Sequence, residues 1–287
     1  MLDTATLVQS LVNGLMAGSI YILVALGLTL VLSIIGIVQL AHGEVYMLGA
    51  YGTYCFSVSA GLNFPLALVI SALLIGLLGI ILERFFFRPF RGQLLRGLIV
   101  VLGLILTLQT AVMASFGGET KAIPNPLPGV LKVLGVTLSW ERLIVIPISI
   151  AILSALLVLI QRTKIGQAMV AVSQDRDTAA LQGINIDRIS SIGMFLGCAL
   201  AAVAGALVGA IFSVTPFMGS FALMKGIAVI ILGGLGSIAG AVVGALILGL
   251  IDGLIPPLLS TCMASIIGFT IIILILLLRP QGILGHE

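Results

Sequence analysis

The chain has 287 residues, of which 60% are hydrophobic and 8% charged, with a formal net charge of +3. A soluble domain carries about 25% charged residues, so this chain could not cover a water-facing surface, and lipid is its expected solvent. Three scattered cysteines (Cys55, Cys198, Cys262) and two histidines argue against a Cys/His metal site, and the few basic groups give no basis for a nucleic-acid partner.

Apolar runs cover approximately 8–36, 37–61, 63–87, 97–117, 143–161, 190–214, 223–255 and 258–278. A membrane-spanning helix takes about 20 residues. The expected fold is an all-α polytopic bundle of about 8–9 transmembrane segments, one of them broken or re-entrant, forming a single membrane domain over 1–287. The polar stretches 117–142 and 162–188 are too short to bury a core of their own. The N-terminus, Met1-Leu2-Asp3-Thr4, lacks a basic n-region, so the first helix is expected to stay in the membrane. No Gly-rich loop ending in Lys-Ser or Lys-Thr is present, so any ATP hydrolysis falls to another chain.

The first informative stretch runs from Asn13 to Tyr54. Asn13, Ser19, Tyr21, Gln39, His42, Glu44 and Tyr46 punctuate an otherwise apolar run. Ionisable groups at membrane depth are expensive and point to function. Asn13, Tyr21, Gln39, His42, Glu44 and Tyr46 are therefore candidates for a translocation path. As an alternative they bond helix to helix and fix the fold. His42 and Glu44 can pair through a turn or with another helix, and Gly43 permits a break or a close approach.

Basic residues in short loops set the topology. Arg84, Arg88, Arg91 and Arg96, then Arg162, Lys164, Arg176 and Arg188, and finally Arg279, are placed on the cytoplasmic side. The stretch 117–142, with Pro124, Pro126 and Pro128, is expected outside as an ordered extended loop. Three crossings before Arg88 would put the N-terminus outside.

The second stretch, Gly166 to Asn185, predicts a cytoplasmic helix from about Gln167 to Gln182 closed by Gly183 as a C-terminal cap. It is either a solvated helix lying on the bilayer or a coupling helix for a cytoplasmic ATPase, whose small residues suit close docking. The third stretch, Lys225 to Gly253, is too long for one span, and Gly233-Gly234 with Gly236-Ser237 favours a break inside it. Such backbone survives at depth only inside protein or beside water. Pro256-Pro257 ends the segment. Lys225 is expected near the outer interface, snorkelling. Asp252 is a lone carboxylate, available to cap Pro256-Pro257 or to pair across a subunit contact. Glycines four apart, as at Gly14/Gly18 and Gly249/Gly253, let helix backbones approach closely.

Together these stretches resemble the LivH/LivM-type permeases of branched-chain amino acid ABC importers, nearest the LivH side. The resemblance rests on Gly14, Gly18, Ser19, Tyr21, Ala41, His42, Gly43, Glu44, Tyr46 and Met47. It continues through Ala171, Asp175, Ala179, Gly183 and Ile184, and then through 232–241. Gln39-Leu40 stands where that family usually has Asn-Phe. The resemblance implies a multi-pass permease of the bacterial inner membrane with no catalysis of its own. Its implied partners are a second, LivM-like permease, two ATP-binding subunits holding ATP and Mg, an extracytoplasmic amino-acid-binding protein and membrane lipid. It implies a coupling role for Gly166, Ala171, Asp175, Ala179 and Gly183. Urea, an amide or a sugar as substrate, or a stand-alone secondary transporter using His42, Glu44 and Asp252, are the alternatives.

Overall fold

The computed structural model describes residues 4–36, 39–124, 129–133 and 136–285. Within them the chain is almost all helix. It opens with α1 (Thr4–Ile35), α2 (His42–Tyr54) with a π turn at Cys55–Ser59, and α3 (Phe64–Leu82), whose end runs through Glu83–Phe87 and Arg88–Phe90. Then come α4 (Leu94–Phe116), the hairpin strands β1 (Val130–Val133) and β2 (Val136–Ser139), and α5 (Trp140–Arg162). Two short helices follow, α6 (Lys164–Gln174) and α7 (Arg176–Leu181). The chain continues with α8 (Ile186–Ile211), α9 (Met218–Gly233), α10 (Ile238–Leu254) and α11 (Thr261–Leu278).

The all-α polytopic class holds. Among the described residues six helices are long and apolar enough to cross a membrane. The pair α9 and α10, bent by 119°, makes up to seven if taken as one span. The eight or nine expected segments fall to this number partly because run 37–61 yields only the 13-residue α2, about 20 Å long. The break expected at Gly233–Ser237 is the bend itself. In the stretch 117–142, β1 and β2 pair antiparallel, so a hairpin replaces part of the extended loop; Pro126 and Pro128 lie outside the described residues.

At the centre sit α1 and α8. α1 is an unbroken 32-residue helix, about 48 Å long. Its Leu23, Ala25, Leu26, Leu28 and Val31 are wholly buried. α8 packs on α1, α2 and α3. The outer faces of α3, α4, α5 and α11 carry exposed Leu, Ile and Phe side chains, as a lipid-facing surface requires. Gly14 and Gly18 of α1 lie against Gly253 and Gly249 of α10, where a Cβ added to either α10 glycine would come within 2.4 Å of the α1 backbone. The spacing of four therefore serves a helix contact inside one chain.

The last described residues close the hairpin. The amide nitrogens of Ile283 and Leu284 donate to the Leu232 and Gly233 carbonyls, each at 3.0 Å. These are C-terminal carbonyls of α9, which no helical N–H reaches.

Candidate functional site

The polar residues singled out in the first half of the chain separate into two intramembrane groups and one outlier. The first group surrounds the N-terminus of α2. The His42 ring lies against Gly27 of α1 and close to Gly197 of α8, well inside both helices, so α2 begins within the membrane. A half-length helix starting there leaves 39–41 non-helical at depth, which the wholly buried Gln39 and Ala41 reflect. α9 starts at the same level. A Cβ on Gly43 would lie 2.3 Å from the Gly219 carbonyl oxygen, so the two helices meet N-terminus to N-terminus and only glycine fits. Both positive helix ends meet at this place, and Glu44 stands in the first turn of α2, the end of a helix where an acidic side chain is favoured.

Gln39, His42 and Glu44 are buried at 0%, 0% and 3% exposure, a burial that makes their polar atoms costly unless partnered. Glu44 Oε2 and both His42 ring nitrogens make no side-chain hydrogen bond of ordinary geometry. The ring faces the Val24 backbone, and the Gln39 amide lies beside the Cys198 thiol. His42 and Glu44 therefore do not form the mutual pair that their spacing allowed.

The second group joins α1, α9 and α10. The Tyr21 hydroxyl donates to Asp252 Oδ2 at 2.6 Å. Lys225 Nζ lies 2.9 and 2.7 Å from the two Asp252 oxygens, and 5.8 and 5.6 Å from the Tyr21 and Phe221 ring centroids. Tyr46 lies near Tyr21. Two expectations are corrected here. Lys225 is not at an interface but 5% exposed, because the 119° bend folds α10 back beside it. Asp252 caps no proline; its carboxylate is held by Tyr21 and Lys225 of its own chain. Asn13 stands apart, accepting from Arg142 Nη1 at 3.0 Å.

At the arginine-rich end, Glu83 is wholly buried and accepts from Arg88 Nη2 at 3.0 Å, from Ser191 Oγ at 2.7 Å and from Arg91. Asp187 closes the cluster, with Arg91 Nη1 at 2.6 Å and Arg88 Nη1 at 3.3 Å. Counting arginines by charge alone missed Glu83. Its signal was a lone acid on an apolar helix, five residues before Arg88.

Beside this cluster, the expected helix over 167–182 is two helices. The chain breaks at Asp175, whose Oδ1 accepts from the Asp177 and Thr178 amides at 2.9 and 3.1 Å, while Thr178 Oγ1 donates to Oδ2 at 2.5 Å. These bonds, the Thr178 hydroxyl first, hold the Asp175 carboxyl below the usual carboxylate range. An N-cap of this kind competes with the helix interior, which is why α6 stops. Gly183, at φ +81°, closes α7 as expected. Its amide donates to Ala180 and that of Ile184 to Ala179, the paired bonds of a Schellman motif.

Of the five coupling candidates, Gly166 and Ala179 face inward, Ala171 is half-buried, and Asp175 and Gly183 are exposed. Gly166 lies where a Cβ would meet the Leu159 carbonyl at 2.2 Å, which lets α6 fold back on α5. Ala179 joins Ile34, Met169, Val172 and Ile189 in a small apolar cluster. The outward face belongs instead to Val170, Ala180 and Leu181, the last 86% exposed.

Known proteins of similar sequence cover this whole arrangement. The chain is 36% identical to the high-affinity branched-chain amino acid transport system permease protein BraD of Pseudomonas aeruginosa, over 97% of this chain and 95% of BraD. It is 34% identical, with the same coverage, to the corresponding permease protein LivH of Escherichia coli K12. Among solved structures, PsaBC from Streptococcus pneumoniae, in complex with Fab, superposes with a TM-score of 0.53 at 13% identity. That match covers 94% of this chain and 91% of the other, a likeness of fold. The model of the branched-chain amino acid transport system permease component matches residues 10–276, and the chain belongs to that family.

Proposed function

We propose that this chain is a membrane permease subunit of an ATP-driven importer for branched-chain amino acids in a bacterial inner membrane. In this reading the arginine-rich end is cytoplasmic, α6 and α7 project there, and separate ATP-binding subunits dock on their outer face. ATP and Mg are held and hydrolysed by those subunits; this chain catalyses no reaction. A second permease chain of the same general kind completes the path, and an extracytoplasmic binding protein delivers the ligand.

The observation that carries the reading is the full-length match to BraD and LivH, both named as branched-chain amino acid permeases. The geometry supports it. α6 and α7 have an apolar inner face fixed to the bundle and an outer face of Val170, Ala180 and Leu181, which suits a docking element. The helix N-termini meeting at Gly43 and Gly219 give an intramembrane polar centre of the sort found where discontinuous helices handle charged substrates. Gln39, His42, Glu44, Tyr21 and Tyr46 are the proposed lining or control residues of the path, and Asn13 is proposed at its outer edge.

Uptake of labelled leucine into proteoliposomes holding the co-purified complex tests the proposal. Import is expected to require internal ATP-binding subunits, ATP and the loaded binding protein. Leucine uptake by this chain alone, driven by an ion gradient without ATP, would overturn it.

A further inference from the structure

We infer that Arg176 is a positioning residue that fastens the α6–α7 projection to the end of α1, so that movement of the projection reaches the membrane interior through α1. The inference rests on the reading of α6–α7 as the ATPase-docking element.

Arg176 is the first residue of α7, and its Nη2 donates to the carbonyl of Ile34. Ile34 lies in the last turn of α1, where carbonyls have no helical donor and where the helix end favours a cation. The same residue makes the apolar half of the joint. The Ile34 side chain, 1% exposed, packs with Met169 and Val172 of α6, Ala179 of α7 and Ile189 of α8. One turn of α1 is thus held by a directional polar bond and by packing, both from the projection. The guanidinium also lies within electrostatic reach of Arg91 and Glu83, so the joint adjoins the buried cluster between α3 and α8.

α1 is suited to carry displacement. It has no break over 32 residues and contains no proline. Tyr21, bonded to Asp252, stands on the same rod about 20 Å from Ile34 by helical rise, and Gly27, against His42, lies between them. A shift of the α1 end therefore reaches both intramembrane groups. An arginine suits the joint because its planar fork is always charged and fixed in geometry.

The test uses the complete importer purified as a complex and reconstituted in liposomes, with Arg176→Ala and Arg176→Lys beside wild type. Four quantities are read: retention of the ATP-binding subunits, basal ATP hydrolysis, its stimulation by leucine-loaded binding protein, and ATP consumed per leucine imported. Arg176→Ala is expected to keep the subunits and basal hydrolysis. Stimulation should fall at least about fivefold, and ATP per leucine should rise by a similar factor, the lower range of coupling between linked sites. Arg176→Lys, which keeps a charged donor, is expected to recover part of the stimulation. A wild-type ATP-to-leucine ratio in Arg176→Ala overturns the inference. Loss of the ATP-binding subunits also overturns it, since Arg176 would then be a docking contact. If the alanine chain does not insert, Arg176→Gln is read by the same criteria. Failure of the wild-type chain to retain any ATP-binding subunit would instead sink the functional reading itself.

Discussion

The ammonium of Lys225 and the carboxylate of Asp252 face each other across the α9–α10 hairpin, with Nζ 2.7 and 2.9 Å from the two oxygens. The pair is nearly sealed from solvent, at 6% and 17% side-chain exposure. Removing one partner leaves a buried charge without compensation, which costs about 3–5 kcal/mol. Replacing both with apolar residues removes the problem. Lys225→Met and Asp252→Leu are each expected to lower the thermal unfolding temperature in detergent, and the double variant to recover most of the loss. Additive losses would show that the two charges are independent.

Gly43 and Gly219 define a second test. Gly43→Val must separate the N-termini of α2 and α9, since even a Cβ would lie 2.3 Å from the opposite carbonyl. Overpacking of this kind costs about 1–3 kcal/mol or more. Reduced yield of folded protein by fluorescence-detected gel filtration is the expected outcome. Gly103→Val, at a helical glycine with open space around it, is the control expected to behave as wild type.

On the projection, burial separates two neighbours. Leu181→Asp is expected to release the ATP-binding subunits in co-purification with little change in unfolding temperature, because Leu181 is 86% exposed. Ala179→Trp should lower the unfolding temperature first, because Ala179 sits in the Ile34 cluster. Equal effects of both changes on stability would contradict this division.

The Asp175 cap makes a pH prediction. Its carboxyl titrates below the usual range in the folded chain, chiefly through the Thr178 hydroxyl and then through backbone amides. A depressed folded value means that the cap's contribution is fully present above the unfolded carboxylate value of about 3.9 and is lost as pH falls through the folded one. Hydrogen-exchange protection of α7 is therefore expected to be level at about neutral pH and to drop only below about pH 4. Asp175→Ala should show the low protection at every pH, and a wild-type loss of protection near pH 6 would refute the assignment.

Much of the fold was legible because membrane composition leaves few choices. The apolar runs, the bend at Gly233–Ser237 and the Gly183 stop each follow from local chemistry. What escaped were relationships between distant segments. Lys225 read as a snorkelling side chain because nothing local reports that the bend brings Asp252 beside it. Glu83 was hidden among arginines, and α2 read as a full span because apolarity does not reveal that a helix starts inside the membrane. The Asp175 break was readable in principle, since Asp175-Arg-Asp-Thr178 is a capping sequence set inside a helix-forming stretch. The candidate path residues were found as a list, while their division into a Gln39–His42–Glu44 group and a Tyr21–Tyr46 group needed the contact of the His42 ring with α1 and the packing of α1 against α10.

The bonds from Ile283 and Leu284 to the end of α9 bear on how the protein is made. During synthesis α9 and α10 leave the ribosome before α11 and the tail exist, and membrane domains form in N-to-C order. The Leu232 and Gly233 carbonyls thus wait, unclosed by their own helix, until Ile283 and Leu284 have been made. The hairpin turn is finished by a segment made only after α11, so a release that stops short of Ile283 would yield an inserted bundle with an open turn, a natural target for membrane quality control.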